Sequence, residues 1–215
     1  MTNPDLMLIA AVLDRSGSMQ SIADDTRGGF DAFIAKEREQ PGTTLVTLAQ
    51  FDDEYESVYQ NMPIDRVPSL TLQPRGMTAL LDAIGRFIME IGSDLAVLPE
   101  QDRPGEVTVV LLTDGHENAS KEWTKDAVKQ LISQQEDTYG WDFVFLGANI
   151  DAVDVGTDLG FSAGKSLTYD ASSAGVGGAF ASVSSYTARK RARGDGSARE
   201  IAFDDADRRR AKGQP

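Results

Sequence analysis

Leu6-Met7-Leu8-Ile9-Ala10-Ala11-Val12-Leu13 runs without a polar residue into Asp14-Arg15-Ser16-Gly17-Ser18. An unbroken apolar run of this length reads as a parallel strand buried on both faces. At its carboxyl end it releases a carboxylate and two hydroxyls on alternate residues, at the edge where open α/β sheets carry their sites. Two later stretches share the theme. A second apolar run, Val107 to Leu112, ends in Thr113-Asp114-Gly115, and Thr78 follows Arg75-Gly76-Met77 at the start of an amphipathic segment. Two carboxylates and three hydroxyls from three segments make an oxygen-only shell suited to a hard divalent cation. Taken singly, Asp14 and Ser18 read as helix caps and Asp114 as the start of a turn. Taken together, at strand and helix ends, they favour the metal site.

Working outward, Ile22, Phe30, Phe33 and Ile34 mark a helix after the first strand, with Gly28-Gly29 as a weak middle. Thr43–Phe51 and Tyr55–Gln60 alternate as two strands, and the acidic turn between them, Asp52-Asp53-Glu54, is short enough to force an antiparallel pair. Residues 62–74, with three prolines, form a loop. Leu80, Leu81, Ile84, Phe87, Ile88, Ile91 and Leu95 give the clearest helical period, with Thr78 at its N-terminus. Then come a strand at Val107–Leu112, a helix marked by Trp123, Val128, Leu131 and Ile132, a strand at Trp141–Leu146, a short helix at Ala152–Asp158 and an edge strand at Ser166–Tyr169. Val176, Phe180, Val183 and Thr187 mark a last helix, capped by Asp170 or Ser172. Strands alternating with helices predict a three-layer, Rossmann-like, doubly wound α/β sheet, mostly parallel with one antiparallel strand. The domain is expected over 1–190, with a charged tail over 191–215. From about Gly194 the tail lacks a period and is expected to pack poorly, the apolar triplet Ile201-Ala202-Phe203 being the one candidate for docking on its own domain or on a neighbour.

The chain has 215 residues, 40% of them hydrophobic, enough for a full core. It has no cysteine, which excludes disulfides, thiolate metal sites and cysteine nucleophiles. The net charge of −13 argues against general nucleic-acid binding. It is uneven: between Arg189 and Lys212 nine Lys/Arg face five Asp/Glu, leaving +4 there and −17 elsewhere. No basic-then-apolar leader is visible, and Leu6–Leu13 is far too short to span a bilayer. The reading is a soluble cytoplasmic protein.

The five candidate residues resemble the metal-ion-dependent adhesion site of the von Willebrand factor A (VWA) domain family. Its pattern of Asp-x-Ser-x-Ser, a distant Thr and a distant Asp is matched by Asp14, Ser16, Ser18, Thr78 and Asp114, with no member missing. The resemblance covers residues 5–190. Phe51-Asp52-Asp53-Glu54 is similar to the family's second hairpin, and Gly76-Met77-Thr78-Ala79-Leu80 to its Gly-Gly-Thr-x-Leu; Met77 replaces the second glycine but removes no ligand. The resemblance implies that Ser16, Ser18 and Thr78 touch Mg²⁺ (or Mn²⁺) directly while Asp14 and Asp114 act partly through water. It also implies a protein-protein interaction module without chemistry of its own, in which a partner's Asp or Glu completes the coordination. Partners implied by the family include AAA+ ATPases and stress-response complexes; self-association through the tail is a further expectation.

The competing reading is a metal-dependent phosphohydrolase, which needs an acid two residues after Asp14, where Ser16 stands. A third is an assembly component whose metal only stabilises loops. Other features read as incidental. The sole histidine, His116, together with Arg15 and Glu117, reads as solvated residues at the rim of the site. The stretch 160–166 has a P-loop's ending but Leu159 where its first glycine belongs. Arg193-Gly194-Asp195 and the sequon Asn118-Ala119-Ser120 read as coincidences, and the basic clusters at 189–193 and 208–212 as solvated ends.

Overall fold

The computed structural model describes residues 2–193 and 201–214. Its elements are β1 (Asn3–Asp14), α1 (Ala23–Arg38), β2 (Thr43–Phe51), β3 (Tyr55–Pro63), α2 (Leu80–Ala96), β4 (Pro104–Thr113), α3 (Lys125–Tyr139), β5 (Asp142–Ala148), α4 (Ala152–Leu159), β6 (Ser166–Tyr169), α5 (Ser173–Arg193) and α6 (Asp205–Ala211). The six strands form one sheet in the order β3-β2-β1-β4-β5-β6. Every neighbouring pair is parallel except β2 with β3.

The absence of polar residues from Leu6 to Leu13 follows from this layout. Met7, Ile9, Ala11 and Leu13 join the core beneath α1 and α5, while Leu8, Ala10 and Val12 join the core beneath α2, α3 and α4. A strand covered on both faces has no face to spare for polar residues. Helices on both sides make the three-layer, mostly parallel α/β fold that the alternation predicts. α2 buries Leu80, Ile84, Phe87, Ile88, Ile91 and Leu95; each such side chain contributes about 1.5–3 kcal/mol.

Some local expectations need correcting. Trp123 lies outside α3, which Thr124 caps by accepting a bond from the Ala127 amide at 3.2 Å. The Trp123 ring instead lies against Gly85 of α2, where a Cβ would collide with it. Gly29 is not a weakness of α1: it lets Phe180 of α5 approach, and a Cβ there would come within 2.6 Å of that ring. Ser172 rather than Asp170 caps α5, its hydroxyl accepting from the Gly175 amide at 3.1 Å.

The poorly packed tail is overturned for residues 201–214; of the two outcomes weighed for the apolar triplet, docking on the chain's own domain is the one found. Ile201 and Phe203 are buried, with the Phe203 ring 5.4 Å from that of Tyr186 and its amide bonded to the Gly164 carbonyl at 2.8 Å. α6 follows with a capping box between Asp204 and Asp207. At seven residues α6 is too short to show a period. It crosses α5 closely at Gly178, where a Cβ would collide with the Arg210 carbonyl, and Arg208 reaches the Ser166 carbonyl of β6. The basic clusters are likewise not solvated ends: Arg189 pairs with Asp204 and Asp207, Arg191 with Glu37, and Arg210 with Asp207. Gly194 and Asp195 of the Arg-Gly-Asp triplet lie outside the described residues. No helix among the described residues is long and apolar enough to cross a membrane.

Candidate metal centre

In this strand order, β1 and β4 are neighbours whose following helices lie on opposite faces of the sheet. The gap between their carboxyl ends is the crevice where doubly wound sheets bind ligands. Asp14 ends β1, pairing with Phe51 of β2, and Asp114 follows Thr113 at the end of β4. Asp14 is fully buried and fixed at both oxygens: Oδ1 accepts the Ser16 amide at 2.6 Å and Oδ2 the Thr113 hydroxyl at 2.6 Å. Ser16 precedes a short 3₁₀ turn but makes no side-chain cap bond, so its hydroxyl turns to that of Ser18, 3.1 Å away. The Ser18 hydroxyl in turn donates to Asp114 Oδ1 at 2.6 Å.

Thr78 comes from the loop before α2 and is buried. It does not cap the helix; Ala79 occupies that position. Its backbone is clasped by Asn118, whose Oδ1 accepts the Thr78 amide at 2.9 Å and whose amide donates to the Thr78 carbonyl at 3.0 Å. A Cβ placed on Gly115 would lie 3.6 Å from the Thr78 hydroxyl and 3.7 Å from that of Ser18. The two hydroxyls therefore flank one point above Gly115. All five candidate residues, drawn from three segments, are brought together at the carboxyl edge of the sheet.

The electrostatics suit a cation. Burial pushes the Asp14 carboxyl up to about 6, against the opposing hydrogen bonds from Thr113 and Ser16, and the nearby Asp114 charge adds to the rise. Burial also raises Asp114, opposed by the Ser18 hydroxyl. Among the described residues neither carboxylate has an ion-pair partner. Tyr169, at the end of β6, is wholly buried and its hydroxyl has no hydrogen-bond partner among the described residues; burial and the charges of Asp114 and Asp14 hold it well above the usual phenol range. Two desolvated acids without a counter-charge and three converging hydroxyls fit a hard divalent cation. No group of three or more His, Cys, Asp or Glu placed to hold a metal ion occurs among the described residues, so hydroxyls would make up most of the protein's share of the shell.

Around this point several residues have parts that the sequence did not disclose. Glu117 is not solvated: it accepts from the amides of Leu81, Ala119 and Ser120 and from the Ser120 hydroxyl. Asp82 accepts from the amides of Lys121, Glu122 and Trp123; burial alone would raise its pKa, but those three amides outweigh it and hold it low. Together they lace the 114–124 loop to the start of α2. Arg15 is buried and ion-paired to Asp52 and Glu56. Apart from the Ser120 hydroxyl, these partners are backbone amides or lie tens of residues away, so little in the local sequence announces them. His116 is exposed at the rim, as expected. Lys165 of the P-loop-like stretch is buried in an ion pair with Asp142 at 2.6 Å and is not available to a phosphate. The sequon side chains Asn118 and Ser120 are already engaged, with Thr78 and Glu117.

No family model matches this sequence, and no curated relative does. Solved structures do match. Proximal thread matrix protein 1 from the mussel byssus is 18% identical with a TM-score of 0.59, over 85% of this chain and 46% of that one; another structure of it is described with a zinc-occupied MIDAS motif. The pilus adhesin SpaC from Lactobacillus rhamnosus GG is 15% identical with a TM-score of 0.62, over 83% of this chain and 30% of that one. A von Willebrand factor type A protein from Catenulispora acidiphila is 14% identical with a TM-score of 0.57, over 84% and 42%. The chain thus spans less than half the length of each of these structures. At such identities the likeness is one of fold, and the fold it establishes is the three-layer α/β architecture of the von Willebrand factor A domain.

Proposed function

We propose that this chain is a metal-dependent protein-protein interaction module. Asp14, Ser16, Ser18, Thr78 and Asp114 would hold one Mg²⁺ or Mn²⁺, and an Asp or Glu side chain of a partner would complete its coordination. The observation that carries this reading is the convergence of three hydroxyls on two buried carboxylates that lack a counter-charge. The likeness in fold to a pilus adhesin, and to a byssus protein described with an occupied motif of the same kind, supports it.

When bound, the cation supplies Lewis acidity, little reduced by neutral hydroxyl ligands. The chain does the rest. Thr113 and the Ser16 amide orient Asp14, Ser18 orients Asp114, and Asn118 fixes Thr78. Such outer-shell alignment holds ligands in place and supports cation affinity. No acid stands two residues after Asp14 to serve a phosphohydrolase. From the family resemblance, a partner such as an AAA+ ATPase offering an acidic loop fits this role.

Isothermal titration with Mg²⁺, Mn²⁺ and Zn²⁺ tests the reading. One divalent site is expected in the native chain and none in an Asp14→Ala/Asp114→Ala double variant. Equal binding by the two proteins would overturn the assignment, and turnover of a generic phosphate ester that EDTA abolishes would replace it with an enzyme.

A further inference from the structure

We propose that Asp52, acting through Arg15 and Arg75, is a positioning residue for the metal centre: it sets the Thr78 loop against the Asp14–Ser18 loop, and divalent-cation affinity depends on it. This rests on the proposed cation site.

Asp52 follows β2 and is buried. Its Oδ2 accepts from Arg15 Nε at 2.9 Å and from Arg75 Nε at 2.7 Å, and its Oδ1 accepts from the Glu54 amide at 2.6 Å. Its carbonyl accepts from the Ala79 amide at 2.9 Å. One residue therefore ties down the neighbours of two hydroxyl ligands. Arg15 immediately precedes Ser16. Arg75 and Ala79 stand on either side of Thr78. The two loops also bond directly, Arg75 N to the Arg15 carbonyl at 2.8 Å and Gly17 N to the Gly76 carbonyl at 3.2 Å. Gly76 adopts φ +66°, and a Cβ there would collide with Asp53, whose carboxylate accepts the Met77 amide at 3.2 Å.

Charge gives the arrangement a second purpose. A buried guanidinium next to a cation site would repel the cation. Here Arg15 is neutralised by Asp52 and Glu56, and Arg75 by Asp52 and Glu54. The paired geometry is also forked and rigid, which a single ammonium cannot reproduce. A loop that shifts by a fraction of an ångström would move the Thr78 hydroxyl off the point it shares with Ser18.

The test is titration of Mn²⁺ and Mg²⁺ into the native chain, Asp52→Asn, Arg75→Gln, Arg75→Lys and the control Tyr186→Phe, with the thermal midpoint of each metal-free protein. Tyr186 donates to Asp142 at 2.6 Å, at the opposite edge of the sheet, so its loss softens the fold without touching the loops. Asp52→Asn should weaken cation binding about tenfold or more, in line with other residues that orient metal ligands. Arg75→Gln should weaken it by a few fold, and Arg75→Lys, which keeps a cation within reach of Asp52, should recover part of the loss. Tyr186→Phe should lower the midpoint and leave affinity unchanged. Native affinity in both Asp52→Asn and Arg75→Gln would overturn the proposal, as would equal weakening in Tyr186→Phe. If Asp52→Asn does not fold, Arg75→Gln decides, because that side chain is more than half exposed. A native chain that binds no divalent cation would defeat the proposed function and this inference with it; a native chain that binds while the variants bind equally would defeat this inference alone.

Discussion

At the scale of single residues, the site separates shape from chemistry. Thr78 is buried and β-branched, so Thr78→Val keeps its volume while deleting the oxygen. We expect Thr78→Val to lose divalent binding, and Thr78→Ser, which keeps the hydroxyl, to retain it, both with thermal midpoints near the native one. Ser16→Ala should behave like Thr78→Val, because it removes the 3.1 Å contact with Ser18 and the hydroxyl's interaction with Asp14, each about 0.5–1.5 kcal/mol. Titration calorimetry and circular dichroism check both, and a collapsed fold in any of the three would show a structural role instead. That the five candidate residues would meet at one edge of the sheet was legible in the sequence because each stands where a strand or a period breaks. Arg15 and Glu117 were read as solvated because what engages them leaves no sequence signal: Asp52 and Glu56 stand 37 and 41 residues from Arg15, and the partners of Glu117 are mostly backbone amides, which every residue carries.

At the scale of elements, adjacent glycines of α1 predict opposite outcomes. Nothing lies within 4 Å of a Cβ built on Gly28, while one on Gly29 comes within 2.6 Å of the Phe180 ring. Gly28→Ala should stabilise the protein by about 0.5–1 kcal/mol, the helical advantage of alanine. Gly29→Ala should destabilise it by about 1–3 kcal/mol, because overpacking the α1–α5 seam exceeds that advantage. Urea unfolding of the two variants is the check; the same sign for both would contradict the packing. Helix α2 and strands β1, β4 and β5 were readable because burial on one stripe or on both faces imposes a periodic pattern. α6 was not readable, because a seven-residue helix shows less than two turns of period and is held by Asp204, Asp207 and two arginines rather than by an apolar face.

At the scale of the whole molecule, a buried charge cluster holds the end of the sheet opposite the candidate metal centre. Asp142, at the start of β5, meets Lys165 at 2.6 Å, Lys190 at 3.4 Å and the Tyr186 hydroxyl at 2.6 Å. Burial would raise its pKa, but Lys190 and Lys165 outweigh burial and hold it below the ordinary value of 3.8. A depressed carboxyl contributes its full stabilisation above the unfolded value and loses it as pH falls through the folded one. Asp142→Asn should therefore cost about 3–5 kcal/mol at neutral pH, since it removes the acidic partner of buried Lys190 and leaves buried Lys165 only its longer 4.0 Å contact with Glu136. The gap between variant and native protein should narrow as pH drops below 3.8. Unfolding curves from pH 7 to pH 2 would reveal a constant gap if the cluster were not the cause.

The docked C-terminal segment also fixes where Ala211 lies relative to the candidate site. Ala211 bonds through its carbonyl to the Asp170 amide just beyond β6, so it reaches the same rim of the sheet as Asp14, three strands over, or about 15 Å at the usual interstrand spacing. Asn3 begins β1 at the other rim, about 35–40 Å away along the strand. A fluorophore carried at Gln214 would thus sit beside any partner gripped at the cation and change its emission on docking, while the same dye at Thr2 would stay dark to the event.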